Sequence, residues 1–256
     1  MKIWTVVNQK GGVGKTTTSI SIAGSLSALG YRVLLLDLDP HASLSYYLGF
    51  DAETLTDTLY DVFTQSTTQP FNIRRALQPT KIKNVSLLPA HIALATLDKS
   101  FGTQAGKGLV IKKALAELSD DFDIAIIDCP PVLGVLMVNG LLAANKILIP
   151  TQTEHLALHG LRRMLQTIDQ LKPTLNSKVQ IMVVATLFDR RVNACLFAYT
   201  KMREQFKAVM WRGYIPIDTK FREASLQALP INMIVKESRG VFAYDKLTNE
   251  LLKDAA

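Results

Sequence analysis

Cysteine is nearly absent from this chain, with only Cys129 and Cys195 among 256 residues. Two thiols are too few for a disulfide framework and wrongly spaced for a zinc or iron–sulfur site, so both are read as reduced packing residues. No apolar run approaches the roughly 20 residues that a bilayer-spanning helix needs. Met1 to Val7 lacks the basic flank, long apolar stretch and small-residue cleavage site of a secretion signal. A soluble cytoplasmic protein is the expectation. Signs of disorder are missing too, since 48% hydrophobic and 20% charged residues make an ordinary globular balance. No repeat, linker or low-complexity tract divides the chain. One domain over 1–256 is expected, long enough to bury a real core.

The net charge of +7 becomes informative once it is located. Residues 159–222 hold 12 Lys and Arg against 4 Asp and Glu, a balance of +8, while the remainder holds 17 against 18, a balance of −1. The excess therefore sits in one stretch of the C-terminal half. Such a stretch suits a polyanion-facing surface or, equally, a solvated face.

Apolar, β-branched runs predict strands at 2–7, 32–36, 85–88, 122–127, 146–149, 179–185 and 210–215. Helical spacing predicts helices at 16–29, 54–63, 106–118, 156–171 and 193–207, with Gly30 closing the first and 64–70 a polar loop. Strands alternating with helices imply an α/β fold, with a mostly parallel twisted sheet flanked by helices on both faces.

The strongest chemical signal lies between the first strand and the first helix, in Lys10-Gly11-Gly12-Val13-Gly14-Lys15-Thr16-Thr17. A phosphate chain needs several backbone N–H groups turned toward it, and residues without Cβ let the backbone come close. Gly11, Gly12 and Gly14 provide that, and the helix that follows adds its positive end. Lys15 is placed to reach the β- and γ-phosphates of ATP, and the Thr16 hydroxyl to ligate Mg²⁺. Asp128 closes an apolar strand, which puts a carboxylate beside the loop as Mg²⁺ coordination through water requires. Asp37 and Asp39 end another strand and share a face if both keep strand geometry.

The usual G-x-x-x-x-G-K-[ST] pattern fails here, because Gln9 occupies its first glycine position. The segment instead resembles the deviant Walker A box of the ParA/MinD family. Asp37-Leu38-Asp39-Pro40, Asp128-Cys129-Pro130-Pro131, Ile149-Pro150-Thr151-Gln152, Thr186–Asn193, Ile215-Pro216 and Arg222-Glu223-Ala224 are similar to further segments of that family. The resemblance implies a homodimer when ATP is bound, in which Lys10 reaches the nucleotide of the partner subunit. It also implies that Asp39 orients the attacking water, that Asp37 lies near the Mg²⁺ shell with Asp39, Asp128 and Thr16, and that Pro216 and Phe188 are adenine-pocket candidates. A weak ATPase stimulated by an adaptor protein follows from the same likeness.

Within the family, the C-terminal stretch 240–256 lacks the basic face of a membrane-binding MinD-type helix and is read as a packing helix. Arg191 and Lys220 fall by position on arginines that serve DNA binding in ParA-type relatives, with Arg190 and Arg222 close by. Ile217 and Asp218 depart from the usual pattern there. Asp39-Pro40-His41-Ala42-Ser43-Leu44 followed by Tyr46-Tyr47-Leu48-Gly49 resembles ParC-like members that position polar chemotaxis arrays. Partition of nucleoid DNA, held non-specifically, is the alternative, with a polar landmark protein as another anchor. A membrane ATPase of MinD type and a carboxylate-activating P-loop synthetase are the rivals from other classes.

Overall fold

The computed structural model describes residues 1–65, 71–97 and 107–253. Its centre is an eight-stranded sheet in the order β3-β4-β2-β5-β1-β6-β7-β8. The strands are β1 (Lys2–Val6), β2 (Val33–Asp37), β3 (Gln78–Pro79), β4 (Val85–Leu88), β5 (Ile124–Asp128), β6 (Lys146–Gln152), β7 (Gln180–Phe188) and β8 (Met210–Pro216). Every neighbouring pair is parallel except β3 with β4. Central strands β2 and β5 are short and buried throughout, and β1 is buried from Trp4 to Val6, as a sheet covered on both sides demands.

Strand periodicity divides the core into two layers. On β2, Leu34 and Leu36 join one apolar cluster while Val33 and Leu35 join the other. The first layer is covered by α3 (Leu59–Gln65), α4 (Val110–Ala116), α5 (Val135–Ala143), α6 (His155–Leu171) and α7 (Asn193–Gln205). Over the opposite face lie α1 (Lys15–Ala28), α2 (Ser43–Tyr47) and α10 (Arg239–Lys253), through Ile20, Ile22, Leu26, Leu44, Tyr244 and Leu247. Short helices α8 (Lys220–Leu226) and α9 (Ile231–Ile234) bridge β8 to α10. Tyr244, Leu247 and Leu251 of α10 are buried, so this helix packs as expected, and residues 254–256 lie outside the described ones. Among the described residues no helix is long and apolar enough to cross a membrane.

Several boundaries depart from the sequence reading. The helix expected at 54–63 begins only at Leu59. Asp51 first organises a turn by accepting from Glu53 N, and Asp61 accepts from both the Thr58 N–H and hydroxyl, which starts the helix after Thr58. Thr64 and Gln65 belong to that helix rather than to the predicted polar loop, of which 66–70 lie outside the described residues. The helix predicted at 106–118 is a 3₁₀ turn at Lys107–Leu109 followed by α4, with the Ile111 N–H taken by the Asn139 side chain and residue 106 outside the described set. Strands β6 and β7 run three residues further than expected. The added residues carry the chain to the rim where the motifs gather.

Candidate nucleotide site

The C-terminal ends of β1, β2, β5, β6, β7 and β8 meet at one rim, the place where open parallel sheets put ligands. Past β1, the buried Asn8 fixes the turn, with Nδ2 donating to Pro150 O at 2.8 Å and Oδ1 accepting from Lys10 N at 3.0 Å. Gly12 and Gly14 have φ of +72° and +87°, a left-handed backbone that side chains with Cβ rarely adopt. A Cβ built on Gly11, Gly12 or Gly14 would meet nothing within 4 Å, so the space the loop faces is open. Val13 is fully buried and its carbonyl accepts from Thr186 Oγ1 at 2.8 Å, which anchors the loop to β7. Gly14 begins α1, whose first-turn N–H groups at Thr16 and Thr17 have no intrahelical acceptor. Lys15 lies folded along the loop with Nζ donating to Lys10 O at 3.2 Å.

Three carboxylates stand beside this loop. Asp128 is buried, and Oδ2 accepts from Thr16 Oγ1 at 2.7 Å while Oδ1 accepts from Ser19 Oγ at 3.3 Å. Burial raises its pKa to about 7 against the opposing pull of Thr16 and Lys15. Asp37 sits across from it in register. Burial, reinforced by the Asp128 charge, raises Asp37 to about 8. Asp39 lies beyond the end of β2, so the predicted shared strand face with Asp37 does not form. The structure also commits Asp37 elsewhere, with Oδ2 taking the Ser45 N–H and hydroxyl, each at 2.8 Å, and Oδ1 taking Asp39 N. Asp37 thus organises the loop that aims Asp39. Asp39 Oδ1 accepts from His41 N at 3.0 Å and contacts His41 Nδ1 at 2.9 Å, with the imidazole largely in solvent.

These residues fit MgATP. The glycine cradle is open, Lys15 Nζ donates to a loop carbonyl beside Asp128, and a hydroxyl and a carboxylate already meet at Thr16 and Asp128. Among the described residues no group of three or more His, Cys, Asp or Glu forms a metal cage. That suits Mg²⁺, which keeps waters and phosphate oxygens rather than a full protein shell.

Next to the loop lies a cleft of about 220 Å³ lined by Val13, Gly14, Thr17, Leu187, Pro216, Phe221 and Tyr244 among others. Pro216, an adenine-pocket candidate, lines it. Phe188 does not. Leu187 takes that place because its backbone turns left-handed at φ 53°, and Phe188 stacks away on Tyr214 at 4.2 Å. Arg222, expected on a DNA face, lines this cleft instead. Tyr244 reaches the site from α10, its hydroxyl 2.9 Å from Thr18 Oγ1.

The expected DNA-facing cations are mostly engaged. Arg191 forms a two-point pair with Asp189, Lys220 pairs with Glu223, and Arg190 donates to the Tyr214 hydroxyl. Asp218, which departs from the usual family pattern, accepts from Lys220 N and Gly240 N and ties α8 to α10. A different basic surface appears along the edge strand β8. There a cleft of about 560 Å³ is lined by Arg190, Arg212, Arg239 and Lys246 with Trp211, Tyr214 and Phe242, and no acid among the described residues. On the far side of Trp211 a second cleft carries Arg203 and Lys207.

The open α/β sheet, glycine loop and helix N-terminus define a P-loop nucleotide-binding protein. A family model described as an AAA domain matches residues 1–181. The chromosome-partitioning ATPase Soj of Treponema pallidum is 36% identical over 96% of this chain and 95% of its own. The sporulation initiation inhibitor protein Soj of Bacillus subtilis is 32% identical over 98% of each. Among solved structures, a cobyrinic acid a,c-diamide synthase from Mycobacterium smegmatis with bound ADP and magnesium superposes with a TM-score of 0.85, at 34% identity over 99% of this chain and 94% of that one. The chain belongs to the ParA/MinD-type family of P-loop ATPases.

Sequence reasoning missed Leu187, Tyr244, Arg212, Arg239 and Glu154, whereas Arg190 of the β8-edge cleft was already a candidate. Glu154 carried a usable signal, since it lies two residues past the Ile149–Gln152 motif at the start of a helix. In the fold its carboxylate pairs with Lys10 Nζ.

Proposed function

We propose that this chain is an ATP-driven dimerisation switch that positions or segregates a cellular cargo. The observation that carries the reading is the two-lysine loop: Lys15 lies within the cradle, while Lys10 lies at its outer lip with a half-exposed side chain. One chain thus supplies one lysine to its own phosphates and has a second on the rim for a neighbour. In this reading the amides of Gly11 to Thr17 bind the triphosphate, and Pro216, Leu187 and Tyr244 hold the base. Thr16 and Asp128 are the residues to hold Mg²⁺, which when bound neutralises phosphate charge. Asp39 orients the attacking water, and Lys15 with Lys10 of the partner subunit stabilises charge on the transferring group. Partners that bind one nucleotide state better than the other draw work from the cycle. Intrinsic turnover is slow and an adaptor protein accelerates it.

For the cargo, the segment from Asp39 to Gly49 supports polar chemotaxis arrays, with Tyr46 half-exposed there. A second reading, partition of nucleoid DNA, draws support from the names of the Soj relatives and from the acid-free cationic cleft beside β8. An amidating synthase, the activity in the name of the Mycobacterium smegmatis neighbour, needs room for an acid substrate beside the phosphates. Product analysis with candidate acids separates it from the switch, which releases only ADP and phosphate.

The test is the mass of the Asp39→Ala protein by light scattering. It should double with MgATP and stay single with ADP. A single chain in ATP would remove the switch. Offering DNA and cell extract separately to the ATP-loaded form then distinguishes the two cargoes.

A further inference from the structure

Asp39 stands two residues past the end of β2, in the short loop that carries the chain on to α2. Two hydrogen bonds shape that loop: Asp39 N donates to Asp37 Oδ1 at 3.2 Å, and the Asp39 carbonyl accepts from Ala42 N at 2.8 Å. Ala42 completes the turn with a left-handed backbone at φ 53°. These contacts fix the main chain and leave the carboxylate free to turn, since rotation about the last bond of an Asp side chain is broad and two-fold. The restraint comes from His41. Asp39 Oδ1 accepts from His41 N at 3.0 Å and lies 2.9 Å from His41 Nδ1. Among the described residues no other side chain donates to this carboxylate, and Oδ2 is left without a donor. We infer that His41 is a positioning residue for hydrolysis, its imidazole holding Oδ1 of Asp39 so that Oδ2 is turned to the attacking water. The inference rests on the reading of Asp39 as the group that orients that water.

The chemistry of the pair fixes its proton. A carboxylate oxygen only accepts, so the imidazole donates, and in its neutral form it carries the proton on Nδ1. Two donors of one residue then meet one oxygen, and two contacts define an orientation where a single one leaves a hinge. A turned carboxylate would move Oδ2 by roughly an ångström or more, and misplacement of that size can cost about a hundredfold in rate. Asp37 is the contrast, because its Oδ2 takes the Ser45 N–H and hydroxyl and its Oδ1 takes Asp39 N, which leaves no oxygen for water. The Asp39 side chain is 13% exposed and the imidazole 83%. A contact so far out in solvent adds little to stability. Loss of the ring should therefore spare the fold and show in the chemistry.

The experiment replaces His41 by Ala, Asn and Asp. Ala offers no donor, Asn carries its amide nitrogen where the imidazole has Nδ1, and Asp brings a second negative oxygen to the same place. With MgATP, kcat should fall about three- to tenfold in His41→Ala, the weight of one partly solvated hydrogen bond to a charge, while KM, ADP affinity and Tm stay with the parent. His41→Asn should return most of the lost rate, and His41→Asp should be slower than His41→Ala. A second readout needs no nucleotide. In mildly alkaline buffer, NMR of the imidazole nitrogens, with His41 assigned by the signal that His41→Ala removes, should place its proton on Nδ1, and Asp39→Ala should shift it toward Nε2. A parent rate in His41→Ala, no recovery in His41→Asn, or a proton resting on Nε2 in the parent protein overturns the inference. So does a raised KM at constant kcat or a lowered Tm, which would assign the ring to binding or to folding. Parent turnover in Asp39→Ala would defeat the reading of Asp39 itself, whereas an inactive Asp39→Ala beside a fully active His41→Ala defeats only the role given to His41.

Discussion

The rim above β1, β2 and β5 and the edge at β8 both concentrate charge, yet they are built on opposite rules. At the rim, Asp37, Asp39 and Asp128 are each no more than 9% exposed, and each has named donors. At the edge, Arg190, Arg212, Arg239 and Lys246 are exposed around a cleft with no acid among the described residues. Burial makes an unmatched polar group costly, so rim positions are specified one by one. Exposure lets one cation stand in for another. Substitutions at the rim should therefore act singly and severely, and those at the edge weakly and additively.

Lys15→Ala should have the largest effect. It removes the charge-assisted bond to the phosphates, and ATP affinity by calorimetry should fall by roughly a hundredfold or more. Retained tight binding would remove the loop from its role and with it the rim's half of the contrast.

Next is ligand-linked stability. At a hundredfold excess over Kd, MgATP should add about 2.7 kcal/mol, a Tm rise of roughly 5–10 °C for a domain of this size. Asp128→Asn keeps the shape but removes the charge, and should abolish the part of that rise that depends on Mg²⁺. The nucleotide-free protein carries a pH signature from the same cluster. Asp37 and Asp128 have pKa values raised from 3.8 to about 8 and about 7, so the folded state holds protons the unfolded chain has already released. Stability from these groups is greatest below about pH 4 and is lost as pH rises toward about 8. Bound Mg²⁺ favours the carboxylates, so MgATP should flatten the trend. A Tm in EDTA that rises between about pH 6 and pH 8 would contradict the buried-acid account.

Beneath the rim, a Cβ at Gly140 would lie 2.5 Å from Cys129 Sγ and 3.4 Å from Thr5 Cγ2. Gly140→Ala should cost about 1–3 kcal/mol by overpacking, read as a lower urea midpoint. Because α5 here presses on the strands that carry the loop and Asp128, the variant should also weaken ATP binding. An unaffected affinity would show that the rim tolerates a shifted floor.

What could be read from the sequence follows the same divide. The glycine loop was legible because its backbone demands glycine at Gly12 and Gly14. The central strands were legible because burial on both faces leaves only apolar runs. Asp128 was legible as the end of such a run. The role of Asp37 was not, because its partner Ser45 lies on a short helix with no periodic signal. Leu187 escaped because a left-handed Leu has no signature, and the neighbouring Phe188 drew the assignment. The start of α3 was misplaced because side-chain hydrogen bonds at Thr58 and Asp61, rather than spacing, set it. Charge counting located a basic region but not which of its cations are engaged by acids, since local pairing decides that. Asp189 beside Arg191, and Glu223 beside Lys220, were visible in the sequence as acids within pairing reach.

Local pairing also yields the smallest and most discriminating prediction. If DNA is the cargo surface, removing one cation that neutralises a phosphate should reduce the salt slope of binding by about 0.9. Arg212→Glu with Arg239→Glu opens two positions in the acid-free cleft. Arg191→Glu with Lys220→Glu changes two cations already engaged by Asp189 and Glu223. Retention of the MgATP-loaded protein on DNA, measured across a salt series, should therefore flatten more in the first pair than in the second. The reverse order would mean that DNA displaces Asp189 and Glu223, and that intramolecular ion pairs at an exposed surface are no guide to which cations a polyanion can recruit. Equal, unchanged slopes would take the β8 edge out of DNA binding altogether and leave its aromatic, cationic cleft to a protein anchor.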